Sequence, residues 1–213
     1  MFGIHDFGLF LGAGVLLNLT PGPDTVYILG RSIAHGRRAG VASALGICIG
    51  SIFHTCAAAF GLSALLATSA WAFSAVKLAG AMYLIFLGLR ALFQREYRLQ
   101  VNAKFKRSDP VTVLRQGILT NILNPKVALF FLAFLPQFID STAPSKTAAF
   151  LTLGFTFVIT GTIWCLVLAW FAAAFSARLR RNEAVAALLN RFVGSLFIFL
   201  GLRLAIAAQR LEH

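Results

Sequence analysis

Apolar residues in this chain come in long unbroken runs, not in the three-and-four spacing of a half-exposed soluble helix. Six runs stand out, at 7–29, 40–66, 71–93, 113–136, 148–175 and 190–208. Polar stretches separate them at 30–39, in a short turn near 67–70, and at 94–112, 137–147 and 176–189. A run of about 18 apolar residues or more is long enough to cross a hydrocarbon core roughly 30 Å thick. The pattern therefore predicts an all-α integral membrane protein with six transmembrane helices. The longest polar stretch, QREYRLQVNAKFKRSDP (Gln94 to Pro110), is too short and too charged to fold alone. A single transmembrane domain over 1–213 is expected.

Two of the runs are interrupted. NLTPGPDTVYIL, Asn18 to Leu29, carries Pro21, Gly22, Pro23 and Asp24 inside an otherwise lipid-soluble stretch, and the fourth run is broken at Asn124-Pro125-Lys126. Proline removes a backbone donor and pushes aside the carbonyl four residues earlier. In hydrocarbon each freed backbone group costs several kcal/mol, so such a break is tolerated only where it is buried in protein or lines a wet cavity. The donors freed after Pro23 form a local positive pole suited to a carboxylate. The carbonyls freed before Pro21 suit an ammonium or another cation.

The two halves of the chain match each other. The third run ends in IFLGLR (Ile85 to Arg90) and the sixth ends in the same hexapeptide (Ile198 to Arg203). Each half is thus a three-helix unit whose first helix is broken, with repeat one at 5–93, a loop at 94–112 and repeat two at 113–208. Three spans per unit force the second copy upside down. Inverted-topology repeats with interrupted helices in corresponding positions are a characteristic build of secondary transporters. At 1.5 Å per residue the first break falls ~20–25 Å along its run and the second ~17–20 Å along its own. Helices 1 and 4 are therefore expected to be broken near the midplane, where the two breaks can meet.

Composition agrees: 59% of residues are hydrophobic and 12% charged, against about a quarter charged in soluble domains. Mean hydropathy is +0.81. The net charge of +12 raises nucleic-acid binding, but the basic residues lie between apolar runs, which argues against it. Fourteen of the 19 Lys and Arg residues fall in the loops after runs 1, 3 and 5 or at the run ends beside them. By the positive-inside tendency that face is cytoplasmic and both termini are periplasmic. Cys48, Cys56 and Cys165 lie in apolar runs without metal-ligand spacing and read as small buried residues. The N-terminal MFGIHDFGLF lacks a basic region and a cleavage site, so the first run is expected to be retained, and Leu211 to His213 read as a cloning scar.

Asp24 and Lys126 are the Asp, Glu, Lys or Arg side chains that fall well inside apolar runs. Each costs at least ~2.5 kcal/mol to insert, and such groups usually mark a pathway. Opposite signs on two matched breaks suggest an ion pair, or two poles holding a zwitterion. A purely structural pair, with Asp24 capping its half-helix, is the plainer alternative. His54 shares a four-residue stripe with Ala42, Gly46, Gly50 and Ala58. That stripe reads either as helix packing or as a homo-oligomer contact; the histidine is either hydrogen-bonded in the seam or proton-responsive. Thr20, Asn18, Asn121 and Asn124 add neutral polar groups around the breaks. No catalytic set, phosphate loop or metal-ligand cluster is evident, so neither an enzyme nor a cofactor is expected.

TPGPDTVYILGRSIAHGRRAGVASALGICIGSIFHT and LTNILNPKVALFFLAFLPQFID, with KLAGAMYLIFLGLRAL between them, closely resemble the LysE/RhtB family of bacterial amino-acid exporters. The resemblance runs over residues 5–208, and the LPQFI after the fourth run is similar to the homoserine/threonine/leucine branch. It implies proton-coupled export of amino acids or close derivatives across the inner membrane. The matched site residues are Pro21, Gly22, Pro23, Asp24, Asn124, Pro125 and Lys126. Together the reading expects a proton-coupled exporter working by alternating access, with a zwitterionic substrate bound at Asp24 and Lys126. Thr20, Phe130 and His54 are expected to limit side-chain size, and Asp24 and His54 are the proton-coupling candidates. A passive channel or ion carrier of the same build is the alternative.

Overall fold

The computed structural model describes residues 2–68, 109–140 and 143–172, together with positions 71, 75, 78, 82, 85, 86, 89, 191, 195, 198, 199 and 202. Among them the chain is all-helical apart from one isolated bridge, Ile4 to Ile139. The first run is two helices, α1 (Phe7–Leu19) and α2 (Pro23–His35). α3 (Arg37–Ala57) passes through a π turn (Ala58–Leu62) into α4 (Ser63–Thr68). The fourth run is α5 (Pro110–Ile122), α6 (Pro125–Leu129), a π turn (Phe130–Phe134) and a 3-10 turn (Leu135–Phe138). α7 (Lys146–Trp170) comes next. The described positions of the third and sixth runs are helical, while the IFLGLR repeats lie largely outside the described residues, as do most of 94–112, the 176–189 loop and 211–213.

Among the described residues two helices, Arg37–Leu65 and Lys146–Trp170, are long and apolar enough to cross a membrane, and Pro110–Ile122 with Pro125–Phe138, bent by 47° at their break, counts as a third candidate when the pair is taken as one span. Their outer faces carry large exposed apolar side chains, among them Phe53, Phe60, Leu119, Ile159 and Ile163. That distribution suits lipid on the outside.

Both expected breaks are present, and each has a local cause. α1 ends where Thr20 turns extended, its N–H reaching back to the carbonyls of Leu16 and Leu17 at 3.0 and 3.2 Å. Gly22 is fully extended and Pro23 opens α2, where a missing N–H is harmless. In the fourth run Asn124 is extended, as a residue before proline tends to be, and its Oδ1 caps α6 by accepting from the Lys126 N–H at 3.1 Å. Outside the spans, Asp109 caps α5 by accepting from the Thr112 N–H at 3.3 Å. Hydrogen bonding by Thr112 holds the Asp109 carboxyl below its usual range.

One boundary differs from expectation. The linker assigned to 30–39 is helix on both sides of a single residue, because α2 restarts at Pro23 and still has turns to complete. Gly36, at φ 81°, makes the reversal in the left-handed region that suits glycine.

The small-residue stripe is an intramolecular seam. A methyl on Gly46 would collide with the Leu114 carbonyl, one on Gly117 would come within 2.8 Å of the Ser43 carbonyl, and one on Gly50 within 2.7 Å of the Asn121 Cβ. α3 and α5 therefore touch backbone to backbone, as small residues at four-residue spacing allow.

Two apolar clusters occupy opposite ends of the bundle. One gathers Phe10, Leu17, Val127, Phe130, Phe134, Phe138, Phe150 and Phe157 towards Ile139. The other gathers Tyr27, Ile28, Ile47, Val113, Cys165 and Leu168 towards Gly36. The Ile4–Ile139 bridge, with Asp140 N–H donating to the Gly3 carbonyl at 2.9 Å, ties the start of the chain to the end of the fourth run. Both therefore lie at one end of the bundle.

Gly46→Val is expected to fail where Ala44→Gly is tolerated. The collision is with backbone that cannot swing away, so the cost lies at or above the ~1–3 kcal/mol of an overpacked core. Thermal melting of the detergent-solubilised protein, read out by size-exclusion chromatography, measures it.

Candidate functional site

The two breaks meet. Lys126 is the second residue of α6, and its ammonium crosses to the first break, donating to the carbonyls of Leu17 at 3.0 Å and Thr20 at 2.9 Å. The freed carbonyls before Pro21 thus hold an ammonium, as their chemistry requires, but it belongs to the protein. Gly22 leaves room for it: a methyl there would stand 3.3 Å from Lys126 Nζ. Two of the three ammonium hydrogens are used in this way, and Lys126 also faces a cavity.

Asp24 is the second residue of α2 and faces the same cavity. It makes no direct ion pair with Lys126. Its Oδ2 accepts from Asn121 Nδ2 at 2.9 Å, across to α5. Its Oδ1 is buried and has no hydrogen-bond partner within 3.5 Å, although the Asn124 side chain also interacts with this carboxylate. Asn121 is itself fixed, with Ser51 Oγ donating to its Oδ1 at 3.2 Å and Gly50 giving it space. A bare carboxylate oxygen at this depth is costly unless a proton or a cationic group meets it.

The cavity lies between the two apolar clusters and is small, about 30 Å³, room for a water molecule or two. Leu17, Val127 and Phe157 line it from one cluster; Ile28, Ile47, Cys165 and Leu168 line it from the other. Asn18, Ser51 and Thr162 add hydroxyl and amide groups beside the two charges.

Other expected site residues shape the breaks without lining the cavity. Pro21, Gly22, Pro23 and Pro125 make the interruptions, and Thr20 turns its hydroxyl back to the Leu16 carbonyl at 2.8 Å. Asn124 caps α6 through its oxygen, and its side chain also interacts with the Asp24 carboxylate, with Nδ2 buried and making no hydrogen bond within 3.5 Å. His54 stands behind the site, with Nε2 3.2 Å from the Asn121 carbonyl and its ring stacked on Phe131. It therefore satisfies a carbonyl at the second break, as Lys126 does at the first. Phe130 stacks on Phe157 at 4.4 Å and is one shell back from the cavity.

Several lining residues lie outside the set expected from sequence. Cys48 and Cys165 are buried free thiols on α3 and α7, and Thr162 donates to Cys48 Sγ at 2.9 Å. Gly161 and Thr162 lie in ITGTIWC, a small and polar stretch of the fifth run, and that stretch is the available signal. Gly161 admits the Asn18 side chain, 3.1 Å from where a methyl would be.

The pattern of the LysE type translocator family matches residues 15–208 of the chain. A leucine efflux protein of Enterobacter sp. (strain 638) is 30% identical over 204 residues, covering 96% of this chain and 97% of that protein. An uncharacterized membrane protein of Vibrio cholerae is 33% identical over 206 residues, covering 96% and 98%. A leucine efflux protein of Klebsiella pneumoniae is 29% identical, covering 96% of both chains. No solved structure matches.

Lys126→Met should strand the Thr20 carbonyl, at ~1–3 kcal/mol for an unsatisfied group, and leave the Leu17 carbonyl with the Thr20 N–H alone. The expected result is a lower melting temperature in Lys126→Met, with Lys126→Arg closer to wild type because it can still donate to both.

Proposed function

The chain belongs to the LysE type translocator family, a family of transporters rather than enzymes, and from that premise we propose that it is a secondary exporter of amino acids or close derivatives. Its setting is the bacterial inner membrane, its architecture six helices in two inverted repeats, and its mode alternating access coupled to protons. The positive-inside count supports periplasmic termini, and the bridge between residues 4 and 139 accords with spans that alternate through the fourth run.

One observation carries the reading: the partnerless, buried Oδ1 of Asp24 in a cavity walled by apolar side chains. A substrate ammonium fits that oxygen. The substrate carboxylate fits the remaining hydrogen of Lys126 and the N-terminus of α2, where the helix dipole favours an anion. Ile28, Ile47, Val158 and Leu168 then surround the side chain, which favours an aliphatic one. The names of the Enterobacter and Klebsiella relatives point to leucine. In the empty carrier a proton on Asp24 would relieve the same buried charge, so proton and substrate would compete for one oxygen. His54, held against the Asn121 carbonyl, acts as a positioning group for that segment.

Asp24→Asn is expected to lower leucine counterflow in proteoliposomes about 10- to 100-fold, the equivalent of one charge-assisted hydrogen bond of ~1.5–3 kcal/mol. Insertion and melting should stay near wild type. Undiminished counterflow by that variant would reduce Asp24 to a structural residue. Flux that survives collapse of the proton gradient and only runs down the substrate gradient would favour a passive channel.

A further inference from the structure

Hydropathy places Arg31 in a loop, yet it lies in α2 at 3% exposure, two helical turns beyond Asp24. A buried guanidinium in a membrane protein is expensive and tends to mark a pathway. Its Nη2 donates to Gln116 Oε1 on α5, and its plane lies over the Tyr27 ring, Cζ 5.7 Å from the centroid. Tyr27 in turn donates to the Val113 carbonyl at 2.7 Å and reaches Gln116 Oε1 at 3.4 Å. These contacts pin α2 to α5 at the Gly36 end. Between them and the cavity stand Ile28, Ile47 and Leu168, which line the cavity and pack in the same cluster as Tyr27 and Val113.

The opposite end of the cavity is closed by different chemistry. There Phe10, Phe130, Phe134 and Phe138 stack at centroid distances of 4.7 to 6.2 Å, in a cluster of apolar side chains. The cavity thus has an aromatic plug on one side and a polar, cationic latch on the other.

We propose that Arg31, Tyr27 and Gln116 form the gate through which substrate enters, and that the substrate's carboxylate opens it by taking Arg31 away from Gln116. A contact with Gln116 and a contact with a carboxylate are unequal. Gln116 offers a neutral amide oxygen to one arm of the guanidinium. A carboxylate offers two oxygens that match the fork, in charge-assisted hydrogen bonds roughly twice as strong as neutral ones. An arriving amino acid therefore outcompetes Gln116, and loss of that contact loosens α2 from α5 where they close the cavity. The carboxylate is then drawn on toward Lys126 while the ammonium meets Asp24. The proposal rests on the exporter reading and on the Gly36 end being cytoplasmic, and it adds to that reading a first recognition step outside the cavity.

Cavity thiols report on this gate without transport. In a Cys56→Ser background Cys48 and Cys165 are the remaining cysteines, and both line the cavity. The experiment measures their labelling by a membrane-impermeant maleimide in inside-out vesicles, alongside the KM for leucine and for leucinamide, which lacks the carboxylate. Gln116→Glu supplies a permanent carboxylate and should hold the latch shut, lowering both labelling and export at least tenfold. Gln116→Ala should raise labelling. Arg31→Gln should raise the KM for leucine at least tenfold and erase its advantage over leucinamide, with Arg31→Lys between. Labelling that is indifferent to Gln116→Glu and Gln116→Ala overturns the gate, whether or not Arg31→Gln inserts. An unchanged leucine-to-leucinamide ratio in Arg31→Gln overturns the recognition step. Labelling that responds as expected in a protein that moves no amino acid would uphold the gate and sink the exporter reading.

Discussion

The ammonium of Lys126, hydrogen-bonded to the carbonyls of Leu17 and Thr20, is the contact on which the rest of the arrangement depends. A helix broken inside a membrane must satisfy the groups it frees, with no water to do so. Here one break supplies the cation that satisfies the other. That requirement draws α6 to the end of α1 and fixes where α2 begins. It also commits the positive charge of the site to the protein frame, so the negative charge of Asp24 is not neutralised by direct contact.

The two charges of the site are therefore held apart, and the surrounding structure maintains the separation. Asn121 takes one oxygen of Asp24, Ser51 steadies Asn121, and His54 holds the carbonyl behind it. The other oxygen is left bare in a cavity between two apolar clusters. Close backbone contact at Gly46, Gly50 and Gly117 keeps α3 against α5, so this network cannot relax by drifting apart. A site that holds its two opposite charges apart is well suited to a substrate that brings both an ammonium and a carboxylate.

Much of this is legible in the sequence. Proline chemistry locates both breaks, because a missing donor and a steric clash act locally whatever the surroundings. The charges at Asp24 and Lys126 stand out because the cost of burying them has no ordinary explanation. Sequence alone leaves open whether the two pair directly, since that turns on which nearby acceptor the ammonium can reach, a carboxylate or a pair of bare carbonyls. Arg31 is misplaced by hydropathy for a related reason. A basic residue after an apolar run reads as loop, and only the α2–α5 contact shows that Tyr27 and Gln116 bury it. The stripe through His54 does not assign its role, because helical spacing gives a face and not the neighbour on that face. The cavity walls from α7 escape notice because Thr162 and Cys165 look like ordinary residues of an apolar helix.

The bare oxygen of Asp24 as an ammonium site is the central claim, and competition binding to the purified protein tests it most directly. Radiolabelled leucine would be displaced by unlabelled leucine and by 4-methylpentanoate, which has the same side chain and carboxylate but no amine. In the wild type, leucine is predicted to displace the label at least tenfold more effectively than 4-methylpentanoate, and Asp24→Asn should bring the two together. Equal displacement by both ligands in the wild type would contradict the claim.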